Sequence, residues 1–451
     1  MRNLPDEFVL RMKDQLGVDA DNFFNALSLP SPTSIRLNHH KGKSSFTNLH
    51  QVPWCENGYY LDSRPRFHID PHWHGGAYYV QEASSMILDA VISQLLLDQT
   101  PRIWLDLCAA PGGKTGILAK HLNASDILIA NEVVPQRKTV LWENLVKGGY
   151  LNTMLTSEQP SSFRDPIADV ILIDAPCAGE GMMRKEPEAI HQWSRGLVDA
   201  CSLLQKQIVN DAVKALKPGG VLIYSTCSYS LEENIYNISH FNETHDLESI
   251  PLDFPASWGI STIHFKEAKG YQLYPHKVKG EGLFVAVLKN NSDRQSYIQG
   301  NKKQANEFSP VPSTFEGILN HPGSFRIRKN IEHNTLVTSE AEQKANEVLQ
   351  KFPRAEIIVG AGQVKGQDVI PAHSIGMAGV QHADVEKIDL KLEGALDYLE
   401  RSTTVSSLAS KKGWYIAMYK DTCLGWLKLT SQGWKNHYPM NWRLRSRNPH
   451  H

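Results

Sequence analysis

The sequence DLCAAPGGKT occupies residues 106–115, between a short apolar run (IWL, residues 103–105) and a helical pattern (residues 115–122). Small residues and glycines between a strand and a helix let backbone N–H groups approach a ligand closely. A P-loop would need glycine at Cys108, and the G-x-G-x-x-G dinucleotide pattern is absent as well. The stretch therefore predicts a turn that binds a nucleoside without phosphates, the alternative being an ordinary strand-to-helix turn.

Further β-rich runs follow this stretch and alternate with helical patterns. The runs are ILI (127–129), VILI (170–173) and VLIY (221–224), and the helical patterns cover 115–122, 135–147, 197–216 and 232–243. Such alternation predicts a parallel α/β sheet with helices on both faces. Because ligands bind to such sheets at the carboxyl ends of the strands, the residues that follow each run are the candidates for a site.

One acidic residue and two cysteines follow these runs. Glu132 comes after the second run, where an acidic residue can accept hydrogen bonds from ribose hydroxyls. The third run leads into DAPCAGEG (174–181) and the fourth into STCS (225–228), which predicts that Cys177 and Cys227 leave the same sheet edge. A thiol beside a carboxylate is a candidate covalent catalyst, whereas a single cysteine is more often a small buried apolar residue. Two cysteines at corresponding strand ends favour catalysis.

Composition limits the class of protein. The chain has 451 residues, which at roughly 150 per domain suggests about three domains. With 47 Lys and Arg against 48 Asp and Glu, the net charge of −1 excludes a uniformly basic nucleic-acid coat but not a local basic patch. There is no apolar run of the roughly 18–20 residues that a membrane span needs, and the start lacks a secretion signal. Six cysteines without a C-x-x-C pair predict neither disulfides nor structural zinc. A cytoplasmic protein is expected.

The histidine-rich stretch HIDPHWH (68–74) invites a metal interpretation, because imidazole is a common metal ligand. Its spacing matches no standard metal site, and Pro71 is expected to break any helix that would align the rings. We therefore predict a solvent-exposed loop and no metal.

The last 41 residues combine cations with aromatic rings. Residues 411–451 hold eight Lys or Arg and one Asp, a local net charge of +7, interleaved with seven Trp or Tyr. Cations contact phosphates and flat rings stack on unpaired bases, so the segment predicts RNA binding. The alternative is a small β domain with a Trp-rich core, and both interpretations allow an exposed basic rim made of Lys435, Arg443, Arg445 and Arg447.

In combination, DLCAAPGGKT, DAPC (174–177) and STCS (225–228) resemble the Nol/Nop/Sun family of RNA cytosine-5 methyltransferases. Further matches are SIRLN (34–38), QEASSM (81–86), KPGG (217–220), EEN (232–234), PH (275–276) and GLF (282–284). The resemblance covers about residues 30–290, and GWKNHYP (433–439) is similar to bacterial RsmF-type members. Those members methylate small-subunit ribosomal RNA and carry a PUA-like terminal domain. The resemblance implies a class I methyltransferase domain, a Rossmann-like α/β sheet that uses S-adenosylmethionine.

The resemblance also implies residue roles. Cys227 would be the nucleophile, Cys177 would assist release of the methylated product, and Asp174 would act in both catalysis and cofactor binding. Many relatives carry an Asp at the end of the strand before Val170, and here Gln159 takes that position with Glu158 beside it. Spacing alone leaves open which thiol attacks, since DNA cytosine methyltransferases use a Pro-Cys cysteine like Cys177. The cofactor set would be Cys108, Ala109, Ala110, Pro111, Gly112, Gly113, Lys114, Glu132, Gln159 and Asp174.

The expected organisation follows from these assignments. It comprises an N-terminal RNA-binding region (1–100), the methyltransferase domain (101–290), a polar linker (291–312), an intermediate domain (313–405) and a PUA-like domain (406–451). The expected activity is methylation of carbon 5 of a cytidine in small-subunit (16S) ribosomal RNA through a cysteine adduct. Expected partners are ribosomal RNA or the small subunit, with the protein a monomer. Alternatives are the same chemistry on transfer RNA, a catalytically idle RNA-binding assembly factor, and a nucleotide hydrolase, which the missing P-loop disfavours.

Overall fold

A central sheet organises the fold, with one smaller sheet before it in the chain and two after it. The structure is a computed structural model that describes residues 4–38, 40–41, 46–47, 49–95, 100–293, 306–329, 334–366, 368–402 and 411–448. Within these ranges, no helix combines the length and the apolar character needed to cross a membrane.

The N-terminal module combines four helices with a four-stranded antiparallel sheet in the order β2-β3-β1-β4. Its helices bury one apolar face, as Phe8 and Met12 do in the first. The elements are α1 (Asp6–Leu16), α2 (Ala20–Ser28), β1 (Thr33–Leu37), β2 (His50–Gln51), β3 (Gly58–Leu61), α3 (Pro71–His74), β4 (Tyr78–Val80) and α4 (Ile87–Gln94).

The catalytic part holds the predicted parallel strands, flanked by antiparallel ones. Its elements are β5 (Ile103–Asp106), α5 (Gly113–Lys120), β6 (Ile127–Asn131), α6 (Pro135–Gly148), β7 (Thr153–Thr156), β8 (Ala168–Asp174), α7 (Pro187–Gln192), α8 (Arg195–Ala215), β9 (Leu216–Thr226), α9 (Ile235–His245), β10 (Leu247–Ser249), β11 (Ser261–Phe265), β12 (Ala268–Leu273) and β13 (Leu283–Asn290). Strands β9-β8-β5-β6-β7 are parallel neighbours in that order. The predicted Rossmann-like α/β class is confirmed.

Burial on both faces explains why the parallel strands read as continuous apolar runs. Along β5, Ile103 and Leu105 pack into one core, whereas Trp104 between them packs into the core on the other face. Because β5 connects to β6 on one side and its other neighbour is β8, the strand order reverses between β5 and β8. Such a reversal opens a crevice at the carboxyl ends of the strands, where ligands bind.

Two further sheets follow the catalytic domain. The first unit contains β14 (Ser309–Pro310), β15 (Phe325–Arg328), β16 (Asn334–Thr338), α10 (Glu342–Lys351), β17 (Glu356–Ile357), β18 (Gly360–Lys365), β19 (Asp368–Pro371) and α11 (His373–Ala378). Strand β17 leaves its own unit and pairs with β7 at the edge of the central sheet. Part of the predicted linker is also structured, because Phe308 is buried and β14 pairs with β15. Residues 294–305 of that linker lie outside the described ranges.

The last unit contains β20 (Glu386–Asp389), α12 (Leu392–Leu399), β21 (Gly413–Tyr419), β22 (Thr422–Thr430) and β23 (Gly433–Asn436). Since β20 pairs in parallel with β21, the predicted boundary at 405/406 divides a single sheet. Most of the aromatic rings form its core, among them Tyr415, Trp426, Tyr438 and Trp442. A basic rim remains in Lys435, Arg443 and Arg445, which are exposed.

Arg447 departs from the predicted exposed rim. Its guanidinium forms ion pairs of 2.6–2.8 Å with three carboxylates of or next to α12: Glu393, Asp397 and Glu400. The Arg447 guanidinium is therefore occupied by ion pairs within the protein.

The predicted solvent-exposed histidine loop is wrong. His72 and His74 belong to α3 and are buried, because the last unit covers them. His72 Nδ1 lies 2.7 Å from Thr422 Oγ1, and His74 Nδ1 lies 3.2 Å from the Tyr438 hydroxyl. Pro71 does not prevent the helix, since it occupies the first turn where no N–H donor is needed. Among the described residues, no group of three or more His, Cys, Asp or Glu is arranged to hold a metal ion.

Gly76 marks where the N-terminal module meets α6. Its φ is +70°, and a Cβ at this position would lie 1.9 Å from the backbone oxygen of Lys147. We expect Gly76→Ala to lower the free energy of unfolding by about 2–4 kcal/mol, because both left-handed strain and a backbone collision are introduced. Urea denaturation measures the effect.

Gly219→Ala is the matched control for this substitution. Gly219 has a φ of +74° with nothing within 4 Å of the added Cβ, so only left-handed strain of about 1 kcal/mol is expected. Equal losses in the two variants would contradict a tight junction at Gly76.

Candidate active site

An ion pair joins the start of α5, just after the loop that follows β5, to the ends of β8 and β9. Lys114 Nζ donates to Asp174 Oδ2 at 2.7 Å, and Ser225 Oγ donates to Asp174 Oδ1 at 2.9 Å. Burial alone would lower the pKa of Lys114, but the Asp174 carboxylate outweighs burial and raises it above its ordinary value. The stretch DLCAAPGGKT is therefore fixed to the strands that carry the two cysteines.

The two cysteines meet at this edge. Cys177 Sγ and Cys227 Sγ lie 2.9 Å apart as free thiols, and each residue is half-buried. Gly181 N donates to the backbone oxygen of Cys227 at 2.7 Å, which ties the loop after β8 to the end of β9. The hydrogen bond with Cys227 raises the pKa of Cys177 well above its ordinary value. Cys201, in α8, does not join this pair.

The loop from Cys108 to Lys114 is held in place from the side of β6 and α6. Gly112 has a φ of +108°, a conformation that favours glycine, and α5 begins at the next residue. Burial raises the pKa of the Cys108 thiol, which disfavours a reactive thiolate at this position. Three hydrogen bonds anchor the loop: Ala109 N to Asn131 O (2.9 Å), Arg137 Nη2 to Ala110 O (2.8 Å) and Asn144 Nδ2 to Pro111 O (2.8 Å).

Asp106 is a candidate that the sequence analysis quoted without giving it a role. It is fully buried at the end of β5, and Thr115 Oγ1 donates to its Oδ2 at 2.7 Å. Its Oδ1 has no hydrogen-bond partner within the described part of the chain, and burial raises its pKa to about 7. A buried oxygen left open beside a glycine loop suits a polar ligand such as S-adenosylmethionine. The feature of the sequence that could have identified Asp106 is its position at the end of the first strand of the central sheet, β5.

Glu132 and Gln159 follow neighbouring strands but differ in burial. Glu132 is 3% exposed at the end of β6, where its Oε1 accepts from Val134 N at 2.9 Å. Gln159 lies three residues beyond β7 and its side chain is exposed. Asn131 fixes this region instead, since it both donates to and accepts from the backbone of Glu158 at 2.9 and 2.8 Å.

Comparisons with known proteins agree with this architecture. Three family models match the chain: "16S rRNA methyltransferase RsmB/F" over residues 93–289, "N-terminal domain of 16S rRNA methyltransferase RsmF" over 4–83, and "Methyltransferase RsmF PUA domain" over 385–444. The last match begins at β20, in agreement with the sheet described above.

Relatives named "Ribosomal RNA small subunit methyltransferase F" match most of the chain. The protein from Vibrio parahaemolyticus is 28% identical over 97% of both chains, and that from Escherichia coli O139:H28 is 33% identical over 68% of each. Among solved structures, a "Methyltransferase Homolog Protein from Pyrococcus Horikoshii" is 28% identical with a TM-score of 0.54. That likeness covers 64% of this chain and 96% of the other.

The fold, its terminal PUA domain and these relatives define an S-adenosylmethionine-dependent RNA methyltransferase. The chain belongs to the ribosomal RNA small subunit methyltransferase F family, as the Nol/Nop/Sun resemblance of its motifs implied.

The ion pair of Lys114 generates a prediction for cofactor affinity. We expect Lys114→Gln to raise the Kd for S-adenosylmethionine at least about tenfold, because removing one partner of a half-buried pair leaves Asp174 uncompensated beside the loop. Calorimetric titration of the purified protein measures this Kd.

Lys120→Gln provides a control in the same helix. Lys120 ends α5 and pairs with Asp89 at 3.0 Å, away from the loop, so an unchanged Kd is expected. An unchanged Kd in Lys114→Gln as well would contradict the role given to the ion pair.

Proposed function

We propose that this protein methylates carbon 5 of a cytidine in small-subunit (16S) ribosomal RNA through a covalent adduct with Cys227. The observation that carries the proposal is the pair of thiols, 2.9 Å apart, next to the ion pair of Lys114 and Asp174. The family of the chain supports ribosomal RNA as the substrate. Bound S-adenosylmethionine supplies the methyl group.

The chemistry explains why a thiol is needed. Carbon 5 of cytosine is too electron-poor to accept a methyl group directly. Addition of the Cys227 thiolate to carbon 6 forms a C–S bond and moves the 5,6 double-bond electrons toward carbon 5, which becomes an enamine-like nucleophile. After carbon 5 receives the methyl group, its hydrogen leaves as a proton to a base or a water. The freed electron pair restores the double bond and expels the Cys227 thiolate.

The raised pKa of Cys177 disfavours this thiol as the nucleophile and supports the assignment of that role to Cys227. Its hydrogen bond with Cys227, together with burial, raises the pKa of Cys177 well above the ordinary value, so we assign Cys177 the role of the thiol that keeps its proton. The resemblance to the Nol/Nop/Sun family likewise implies Cys227 as the nucleophile. With its proton retained, Cys177 is suited to assist the release of the product.

Asp174 is proposed to serve both halves of the site. Its carboxylate is about a third exposed, so it can accept a hydrogen bond from the target base near the ring nitrogen while Lys114 holds it in place. The residues proposed to hold the cofactor are Cys108, Ala109, Ala110, Pro111, Gly112, Gly113, Lys114, Glu132, Gln159 and Asp174, to which we add Asp106.

Methyl transfer from labelled S-adenosylmethionine, followed by digestion to nucleosides, tests the proposal. With small-subunit RNA, free or assembled, we expect 5-methylcytidine from the wild type and none from Cys227→Ala, while Cys177→Ala accumulates a protein–RNA adduct because release is impaired. Bulk transfer RNA is the comparison substrate.

Cys201→Ala is the control for these variants, since that cysteine lies in α8 outside the thiol pair. Methylation of transfer RNA alone would overturn the proposed substrate. A covalent protein–RNA adduct formed by Cys227→Ala would reverse the roles proposed for the two cysteines. Cofactor binding without any methylation would support an idle RNA-binding factor instead.

The target base has to be unpaired or flipped out to reach the thiols, so flanking RNA needs its own binding surface. A cavity of about 400 Å³ supports a role for the N-terminal module. Exposed Arg64 and Arg66 line it together with the rings of Phe67, Trp73 and Tyr79. At its border, Asn144 donates to the cofactor loop. We propose that this cavity and the basic rim of the last unit bind the RNA around the target, with the protein acting as a cytoplasmic monomer.

The salt dependence of RNA binding tests the cavity. We expect Arg64→Ala and Arg66→Ala each to weaken RNA binding and to lower the slope of log affinity against log salt by about 1, because each removes one phosphate contact. Fluorescence anisotropy with a labelled rRNA fragment measures both quantities.

The matched control is Arg354→Ala, which removes an exposed arginine beyond α10. Its slope is expected to stay at the wild-type value. Equal slopes for all three variants would contradict RNA binding at the cavity.

A further inference from the structure

Two glutamates are buried next to the catalytic cysteines, one on each side of a serine. Glu180 is 1% exposed and Glu233 is 0% exposed. The Ser228 hydroxyl lies 3.0 Å from Glu180 Oε2 and 2.7 Å from Glu233 Oε1. Neither carboxylate forms an ion pair with any described residue. Burial of two uncompensated negative charges this close together is unfavourable, which requires a proton on one of them.

The hydrogen-bond partners identify which carboxylate is ionised. Glu180 accepts three bonds apart from that of the serine: from Trp193 Nε1 and Ser230 Oγ on Oε1 (2.9 and 2.6 Å), and from Tyr229 N on Oε2 (2.7 Å). Both of its oxygens thus face donors. Each oxygen faces an N–H group that can only donate, Trp193 Nε1 on Oε1 and Tyr229 N on Oε2, so we assign Glu180 as the charged member of the pair.

Glu233 has a different set of partners. Its Oε2 accepts from Ala178 N at 3.0 Å and from Gln205 Nε2 at 2.8 Å, whereas Oε1 faces only the Ser228 hydroxyl. A proton on Oε1 gives every hydrogen one acceptor: Glu233 Oε1–H donates to Ser228 Oγ, and Ser228 Oγ–H donates to Glu180 Oε2.

This chain of hydrogen bonds connects the segments that carry the two thiols. Ala178 follows Cys177, and Ser228 follows Cys227. Gln205 also donates to the backbone oxygen of Pro176 at 2.8 Å, so Glu233 and Gln205 hold the loop of Cys177 on both sides of the cysteine.

We propose that Glu233 is a positioning residue that works in its neutral form, holding Cys177 and Cys227 at their mutual distance, while Glu180 is its ionised partner. The assignment of the proton is independent of the reaction, but the catalytic consequence rests on the proposed function. In that reaction the two thiols act in succession on one base, which requires their separation to be fixed.

The groups around Glu233 make the protonation of Glu233, and with it the stability of the protein, depend on pH. The titratable groups that face it are Glu180, Cys177, Cys201 and Tyr224, none of which is a cation. Burial, together with the charge of Glu180, raises the pKa of Glu233 to about 7. A raised carboxyl pKa contributes stability that is fully present below the ordinary value and is lost as pH rises through about 7.

Three variants test the proposal: Glu233→Gln, Glu233→Ala and Glu180→Gln. A glutamine at 233 can present NH₂ to Ser228 and oxygen to Ala178, which reproduces the neutral acid. A glutamine at 180 turns an NH₂ toward a donor in either orientation. The readouts are kcat, KM for RNA, and Tm at pH 6 and pH 8.

We expect Glu233→Ala to lower kcat at least about tenfold with little change in KM for RNA, and Glu233→Gln to restore most of that loss. Glu180→Gln is expected to lower both kcat and Tm. The fall in Tm between pH 6 and pH 8 should be smaller in Glu233→Gln than in the wild type.

The reverse pattern, with Glu180→Gln tolerated and Glu233→Gln damaging, would move the proton to Glu180 and overturn the proposal. Equal losses of Tm in Glu233→Gln and Glu180→Gln would also overturn it, because only the substitution of the ionised carboxylate should be damaging. If the wild type does not methylate cytidine, the Tm comparison still decides the proton, so the failure of the proposed function is distinguished from the failure of this inference.

Discussion

The ion pair between Lys114 and Asp174 is the constraint on which the site depends. Lys114 is the second residue of α5, next to the loop after β5, and Asp174 ends β8, so the pair spans the crevice where the strand order reverses. Through Ser225, the same carboxylate reaches β9. A half-buried pair of this kind adds little net stability, because desolvation offsets the attraction, but it fixes geometry. This contact therefore helps to determine how the loop of residues 108–112 and the thiol-bearing strands are placed relative to each other.

The N-terminal module supports this arrangement from outside. Arg36 Nε donates to Gln81 Oε1 at 2.9 Å, and its other nitrogens donate to the backbone oxygens of Gly113 and Gly116 in α5. The module thus stabilises the helix that follows the cofactor loop. This explains two of the family-like stretches outside the catalytic sheet, SIRLN and QEASSM, in which Arg36 and Gln81 have buried structural roles.

Glu82 supports the site in a similar way. Its carboxylate accepts from Ser84 N and Glu281 N, both at 2.8 Å, and so connects the module to the segment before β13. The residues that carry the family resemblance are therefore of two kinds, those at the reacting edge and those that hold this edge in position.

Sequence reasoning succeeded where the determining interactions are local. The alternation of apolar runs predicted the parallel strands, and the positions of Cys177 and Cys227 within three residues of the ends of two of them predicted a shared edge. Sequence reasoning failed where residues are buried by segments that are distant in the chain. His72 and His74 are buried by Thr422 and Tyr438, more than 300 residues away, and no local pattern reveals such a contact. The start of the last unit was misplaced for the same reason, because β20 joins its sheet by pairing with β21 across α12.

The short strand β17 has a consequence for how this protein can be dissected. Glu356 and Ile357 pair with Leu155 and Met154 of β7, so the outer strand of the catalytic sheet is covered by a segment that follows it by about 200 residues. An uncovered strand of this kind offers unpaired N–H and C=O groups to other molecules and promotes self-association. A fragment that stops at residue 290 would therefore lack the strand that covers β7 and would expose a sheet edge. The catalytic and C-terminal parts of the chain are thus joined through one continuous sheet.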